Sequence, residues 1–126
     1  MPEARPEALP GATQRIKTGW GKVYVNINVG PEGEPFEVFV YTGASGGLYN
    51  SNAEAIGKLV SNALRCGCDP WTIVEDLEGI RSGRTQTDNG DDVHSIPDAV
   101  GLALRRHLEG RHGRPVRNGG VETDAP

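Results

Sequence analysis

A glycine-rich turn between a strand and a helix is the part of this chain best suited to bind a small molecule. Residues 42–47 carry three glycines and a serine just before a helix predicted to start near Ser51. Backbone N–H groups at a helix N-terminus attract anions, because the helix dipole is positive there. We therefore expect an anionic ligand on this turn. The residues expected to bind it are Thr42, Gly43, Ser45, Gly46, Gly47, Asn50 and Ser51.

The same turn also has a purely structural interpretation, in which its glycines let the helix and the sheet pack closely. It lacks the G-x-x-x-x-G-K-[ST] pattern of a nucleotide-hydrolysing loop and the G-x-G-x-x-G spacing of a dinucleotide site. Neither Ser45 nor Ser51 has a histidine nearby in sequence that would indicate nucleophilic catalysis. The pattern therefore names neither a ligand nor a reaction.

The two cysteines, Cys66 and Cys68, are separated by one glycine. Such a pair can carry redox chemistry or two metal ligands, but a disulfide between such close neighbours closes a strained ring. The histidines, His94, His107 and His112, show no spacing that completes a tetrahedral site. We expect no metal, and we interpret the pair as a helix end followed by a small buried residue.

Residues 82–94 are polar and include three aspartates, Asp88, Asp91 and Asp92. A carboxylate cluster of this kind can bind a hard cation, but the spacing is not that of an EF-hand. We predict a solvated, mobile loop.

One face of the predicted sheet combines aromatic and amide side chains. Its residues are Tyr24, Asn26, Asn28, Glu37, Phe39 and Tyr41. Single-strand binders use such side chains to stack a base and read its edge. Because Lys22 is the main basic residue expected there, a protein–protein surface, or packing under the N-terminal segment, is the favoured interpretation.

The alternation of apolar and polar residues predicts strands at 13–18, 22–29 and 36–41, joined as an antiparallel sheet. Helices are predicted from Ser51, where Glu54 completes a capping box, from Asp69, and from Ser95. The fold class is therefore α+β, a small antiparallel sheet of two or three strands packed on one face by two or three helices.

The helices show apolar stripes at spacings of three and four residues. The third helix places Arg105 and Arg106 outside its stripe, on the solvent side. The stripe of the first helix comprises Ala53, Ile56, Leu59, Val60, Ala63 and Leu64.

The chain of 126 residues is expected to form one domain at 13–110, between an extended arm at 1–12 and a disordered tail at 111–126. Its net charge of −4 disfavours non-specific binding to nucleic acid and to anionic membranes. No run approaches the length of a membrane span, and the N-terminus lacks a signal pattern. We expect a cytoplasmic protein.

Four short motifs follow one another along the chain: T-G-x-G at 18–21, S-G-G at 45–47, G-I-R at 79–81 and S-x-P-D at 95–98. In this combination the chain resembles the TSCPD domain over about residues 5–108. That domain occurs at the C-terminus of adenosylcobalamin-dependent (class II) ribonucleotide reductases and as small free-standing proteins. The resemblance implies that Arg81, from the G-I-R segment, is the cation near the ligand.

The chain departs from the family at four cysteines, which are expected to hold a metal in T-G-C-G, S-G-G-C, I-R-C and S-C-P-D. The residues at these positions are Trp20, Leu48, Ser82 and Ile96. Three of the four are apolar, so we predict that a small hydrophobic cluster replaces the metal centre. Trp20, Leu48 and Ile96 are then expected to pack near one another.

The leading hypothesis is a non-catalytic binding module that holds a nucleotide or another anionic small molecule on the turn, within one chain or between subunits. One alternative is an accessory domain that docks on a separate ribonucleotide reductase chain, and another is single-stranded nucleic-acid binding. We expect no cofactor, and no ribonucleotide reduction by a chain this short alone. A thin sheet often completes its core by dimerising, so we expect a homo-oligomer.

Overall fold

Three antiparallel strands and three helices form the core of the structure, which is the predicted α+β arrangement. The computed structural model describes residues 2–43, 47–111, 116–117 and 121–122. The strands are β1 Gly11–Thr18, β2 Gly21–Val29, β3 Pro35–Thr42, β4 Gln86–Asp88, β5 Asp91–Val93, β6 Val116–Arg117 and β7 Val121–Glu122. The helices are α1 Gly47–Arg65, α2 Pro70–Leu77 and α3 Ile96–Leu108. Most of the predicted tail lies outside the described residues.

The main sheet joins β1, β2 and β3 in that order, and alternate residues of each strand face the helices. Ile16, Val25 and Val38 are almost fully buried on this inner face, as the alternation predicted. Helix α1 packs along β3, while α3 packs across β1 and β2. The side of the sheet away from the helices is called the outer face below.

Helix α1 begins at Gly47, so the predicted start at Ser51 is wrong. The Ser51 hydroxyl donates to the Leu48 carbonyl at 3.1 Å, as a serine within a helix does, and does not act as an N-cap acceptor. The S-x-x-E pattern is present, but the residues before it are already helical. A local capping motif therefore placed the helix start one turn too late.

The closest approach of α1 to the sheet is at Gly57, where a Cβ atom would lie 3.1 Å from the Val38 carbonyl oxygen. One turn later, the Ser61 hydroxyl accepts from the Val38 N–H at 2.8 Å and donates to its carbonyl at 2.9 Å. Because Gly57 and Ser61 face the sheet, Leu59 points away from it, and its side chain is 71% exposed. The prediction that Leu59 belongs to the buried stripe is therefore wrong.

The predicted loop at 82–94 is instead a short hairpin of β4 and β5. Its turn uses Asn89 and Gly90 at φ 48° and 88°, which is the asparagine–glycine signature of a tight hairpin. The hairpin is held by Arg106, whose guanidinium donates to the Asp88 carboxylate at 2.7 Å and to Asp91 at 3.0 Å. Arg106 is 4% exposed, so its predicted position on the solvent side is also wrong.

The N-terminal arm is fixed to the outer face through the carboxylate of Glu37. Arg5 donates two hydrogen bonds to it, at 2.9 and 3.0 Å, and Asn28 donates a third at 2.6 Å. Burial alone would raise the pKa of Glu37, but the hydrogen bonds from Arg5 and Asn28 outweigh it and lower this pKa. The folded state therefore favours the charged carboxylate.

Because the pKa of Glu37 is lower in the folded protein, its stabilising effect is complete above the unfolded pKa and is lost as pH falls through the folded pKa. We expect Glu37→Gln to lower the free energy of unfolding by about 1–3 kcal/mol near neutral pH. This difference should shrink between about pH 5 and pH 3. Urea unfolding across this range tests it, with the exposed Glu75→Gln as control. A difference that does not vary with pH would contradict this expectation.

Candidate functional site

An apolar groove lies where the turn between β1 and β2, the start of α1 and the start of α3 meet. It encloses about 420 Å³, and we call it the Trp20 groove. Its lining residues are Trp20, Tyr49, Asn52, Ala55, Ile56, Ser82, Ile96 and Pro97. Aromatic and aliphatic side chains therefore form most of the walls, with one amide and one serine hydroxyl among them.

The Trp20 side chain is held on several sides. Its indole Nε1 donates to the Ser82 hydroxyl at 2.6 Å, and that hydroxyl donates to the His94 carbonyl at 3.1 Å. The Arg84 guanidinium lies 4.1 Å from the centre of the Trp20 ring, within cation–π distance. Tyr49 packs beside the indole, with ring centroids 5.6 Å apart and planes tilted by 38°. The indole is therefore a preorganised wall of the groove.

The local sequence explains how Trp20 reaches this position. The Thr18 hydroxyl accepts from the Trp20 N–H at 3.0 Å and donates to the Gly21 carbonyl at 2.6 Å, closing the turn. Gly21 has φ 109°, which a residue with a side chain rarely adopts. A Cβ atom on Gly19 would lie 2.5 Å from the Arg84 Cβ. The glycines on both sides of Trp20 are thus required by the turn and by this close approach.

The opposite wall is positioned by Ser95 and Asp98. The Ser95 hydroxyl accepts from the Asp98 N–H at 3.0 Å and caps α3, as predicted. The Asp98 carboxylate accepts from the backbone N–H groups of Gly79 at 2.9 Å and His94 at 2.8 Å. These bonds tie the chain before Ser82 to the first turn of α3. Three of the four sequence motifs therefore meet around the groove.

A comparison with protein families matched residues 1–108 to the TSCPD domain. The chain belongs to the TSCPD domain family. A comparison with curated proteins found no match, and neither did one with solved structures. No helix within the described part of this TSCPD domain is long and apolar enough to cross a membrane.

Three of the four positions where the family is expected to carry cysteines converge in this TSCPD domain, although the cysteines themselves are absent. Trp20, Ser82 and Ile96 line the same groove, which confirms that Trp20 and Ile96 lie near one another. Leu48 is 68% exposed and does not line the groove, so its predicted place in the cluster is wrong. The helix had already begun at Gly47 and directs Tyr49, rather than Leu48, into the groove.

A metal does not fit this site. An indole, a hydroxyl and an aliphatic side chain stand at three of the expected ligand positions, and none of them supplies a thiolate or an imidazole. Among the residues that the structure describes, no group of three or more histidine, cysteine, aspartate or glutamate side chains is placed to hold a metal ion. The chemistry of the groove is that of an apolar binding site.

The structure brings together only part of the ligand site predicted on the turn. Thr42 and Asn50 contact each other through their side-chain oxygens. The Gly43 N–H donates to the Lys22 carbonyl at 2.9 Å, so the expectation that it is free for an anion is wrong, because sheet pairing extends past β3. Gly47 and Ser51 are exposed in the first turn of α1. The predicted ligands Ser45 and Gly46 lie outside the described residues.

Arg81 is exposed, and the described contacts do not join it to the turn. It directly precedes Ser82, which lines the Trp20 groove, but Arg81 itself is not among the lining residues. Cys66 and Cys68 are both exposed just after the end of α1, so the predicted small buried residue after the helix end is wrong. Neither cysteine lines the groove.

Three residues of the site were missed from sequence: Tyr49, Asn52 and Arg84. Tyr49, Asn52 and Ile56 follow the three-and-four spacing of one helix face, but this spacing is informative only if the helix starts before Tyr49. The helical spacing is therefore present in the sequence, but a predicted helix start at Ser51 leaves Tyr49 outside the helix. The stacking of Arg84 on Trp20 spans 64 positions of sequence and leaves no local trace.

A larger groove, of about 630 Å³, runs between the free edge of β3 and α1. Charged and polar side chains of the helix, including Glu54, Lys58 and Arg65, line one side of it. Lys58 and Glu54 form an ion pair at 3.1 Å across one helical turn. This groove is less apolar than the Trp20 groove, and the sequence motifs do not converge on it.

Proposed function

We propose that this TSCPD domain is a non-catalytic module that binds a nucleotide-like ligand, with a flat ring in the Trp20 groove and an anionic group at the start of α1. The observation that carries this proposal is the aromatic-walled groove beside a helix N-terminus. Its volume lies within the range of small-molecule sites, and such sites combine apolar walls with a few polar groups.

The groove favours a flat ring because two aromatic side chains, Trp20 and Tyr49, form part of its lining. Asn52 and Ser82 are the polar lining residues. The Ser82 hydroxyl already binds Trp20 and the His94 carbonyl, which leaves the Asn52 amide as the group best placed to read the edge of a ring.

The anionic end of the ligand would lie at the first turn of α1. Tyr49 belongs both to this turn and to the groove, and Asn52 follows it in the next turn of α1, so one small molecule can span the two. The positive end of the helix dipole favours an anion there, and exposed Arg81 supplies a cation beside Ser82. Among the residues that the structure describes, no carboxylate, histidine or cysteine lines the groove, which supports binding rather than catalysis.

Filling the groove should abolish this binding. Ala55 lines the groove from an exposed position on α1, so Ala55→Trp blocks it with little effect on the core. We expect at least a tenfold loss of nucleotide affinity, about 1.4 kcal/mol, in calorimetric titrations with linear and cyclic nucleotides. Leu59→Trp, one turn along the same helix and outside the groove, is the matched control.

A second variant separates the two ends of the ligand. Arg81→Ala should lower the affinity for nucleotides and leave the affinity for the corresponding nucleosides unchanged. The reason is that Arg81 recognises only the anionic group. The proposal fails if the nucleotides tested show no saturable binding. It also fails if Ala55→Trp binds nucleotides as tightly as the control Leu59→Trp and the unmodified protein.

A further inference from the structure

The outer face of the main sheet presents aromatic rings and basic side chains in register. Tyr24 lies opposite Arg15 on β1 and opposite Tyr41 on β3, which forms a row across all three strands. Asn26 lies opposite Phe39 in the next row, and Lys17 lies opposite Lys22 in the row before it. Antiparallel partners lie about 5 Å apart, so these side chains form one continuous surface.

The aromatic part of this surface is accessible. Tyr41 is 56% exposed and Phe39 is 41% exposed, and they rank among the most exposed large apolar side chains of the described residues. Two residues along one strand, they stand about 7 Å apart on the same face. Tyr24 is half-buried between its cross-strand neighbours. Each of the two exposed rings therefore has room for a separate planar group.

The charge of the surface is positive although the protein is acidic overall. Lys17 and Lys22 lie opposite each other at one end of the outer face, and both are exposed. The three strands of the sheet carry a single acidic residue, Glu37, and its carboxylate is buried under Arg5 at the opposite end of the face. From the sequence alone, Lys22 is the main basic residue expected on this face. The pairing of β1 with β2 is what brings Lys17 beside it.

We infer that the outer face binds single-stranded nucleic acid, with unpaired bases stacked on Phe39 and Tyr41 and the phosphates near Lys17 and Lys22. Aromatic side chains beside a basic strip match the bases and the backbone of a single strand. A flat sheet has no element that enters a duplex groove, so paired bases would not reach the rings. A second copy of the chain would set these lysines against a face whose three strands carry one acidic residue, Glu37, already paired with Arg5.

This inference is independent of the Trp20 groove. It predicts saturable binding of a labelled oligo(dT) of about 12 nucleotides in fluorescence anisotropy at low salt, with a duplex of the same length binding more weakly. Contacts with about three phosphates give a slope of log affinity against log salt near −2. Affinity should therefore fall roughly tenfold or more between about 50 and 200 mM salt.

Two matched pairs of variants test the roles of the side chains. Lys17→Gln with Lys22→Gln should lower affinity at least tenfold and flatten the salt slope, whereas Lys17→Arg with Lys22→Arg keeps both. Tyr41→Leu should lower affinity about tenfold, whereas Tyr41→Phe keeps the ring and the affinity. All three positions are exposed, and unchanged melting temperatures confirm that the variants fold.

Three results would overturn the inference. One is the absence of saturable oligonucleotide binding at low salt, and another is equal affinity for the lysine-to-glutamine and lysine-to-arginine variants. The third is a dimer in sedimentation experiments that Tyr41→Leu dissociates while oligonucleotide binding is absent, which would assign the face to a second copy of the chain.

Discussion

Replacing Arg106 with methionine is expected to lower the free energy of unfolding by about 3–5 kcal/mol, the cost of leaving a buried charge without its partner. Arg106 donates to the Asp88 carboxylate and to the Asp88 carbonyl, both at 2.7 Å, inside the protein. Asp88 in turn accepts from the Lys17 N–H of β1 at 3.0 Å. One guanidinium therefore joins α3, the β4–β5 hairpin and the main sheet.

Urea unfolding followed by circular dichroism measures this effect. Arg105→Met is the matched control, because Arg105 is adjacent and its ion pair with Glu78 lies nearer to solvent, where such pairs contribute about 1 kcal/mol or less. Adding Asp88→Asn to Arg106→Met removes the unpaired charge and should restore part of the stability. Equal losses for Arg105→Met and Arg106→Met would contradict this account of the network.

Replacing Asp98 with alanine is expected to cost about 2–4 kcal/mol, because its carboxylate accepts from two backbone N–H groups that have no other described acceptor. The substitution also detaches the segment 79–82 from the first turn of α3, because the bond between Asp98 and the Gly79 N–H is lost. The Ser82 hydroxyl would then no longer hold the Trp20 indole in its present place.

Thermal unfolding tests the stability loss, and near-ultraviolet circular dichroism reports the ordering of Trp20. Asp76→Ala, at an exposed position of α2, is the control and should change the free energy of unfolding by less than about 0.5 kcal/mol. If Asp98→Ala unfolds at the same temperature as the unmodified protein, Asp98 does not hold the groove together.

The sheet and the N-caps of α2 and α3 could be predicted because they depend on near neighbours. The alternation in β2 and β3 identified the inner face, and Asp69 followed by Pro70 marked the start of α2. Gly67, which follows the last residues of α1, has φ 90°, a conformation that favours glycine at helix ends. Each of these features is encoded within about four residues.

The buried network and the groove could not be predicted in this way, because their partners are distant in sequence. Arg106 and Asp88 are 18 positions apart, and Trp20 and Ser82 are 62 positions apart. An apolar stripe on α3 places Arg106 outside the core unless its acidic partner is known. Local patterns show which residues are polar but not which residues pair with one another. The segment that carries the acidic partners of Arg106 is therefore predicted as a solvated loop.

The order of the four motifs carried the remaining information about the site. T-G-x-G, G-I-R and S-x-P-D lie far apart along the chain, yet Trp20, Ser82 and Ile96 line one groove. The resemblance to the TSCPD domain predicted that these positions are neighbours, which no local pattern indicated. It did not predict that α1 would begin early enough to add Tyr49 and Asn52 to the walls.

The most direct test of the proposed function is a nuclear magnetic resonance titration that follows the two indole N–H signals of the protein. Trp20 lines the groove, whereas Trp71 lies outside it at the start of α2 and serves as an internal reference. The account predicts that a nucleotide shifts the Trp20 signal in a saturable way and leaves the Trp71 signal unchanged. A Trp20 signal that stays fixed as nucleotide is added would contradict it.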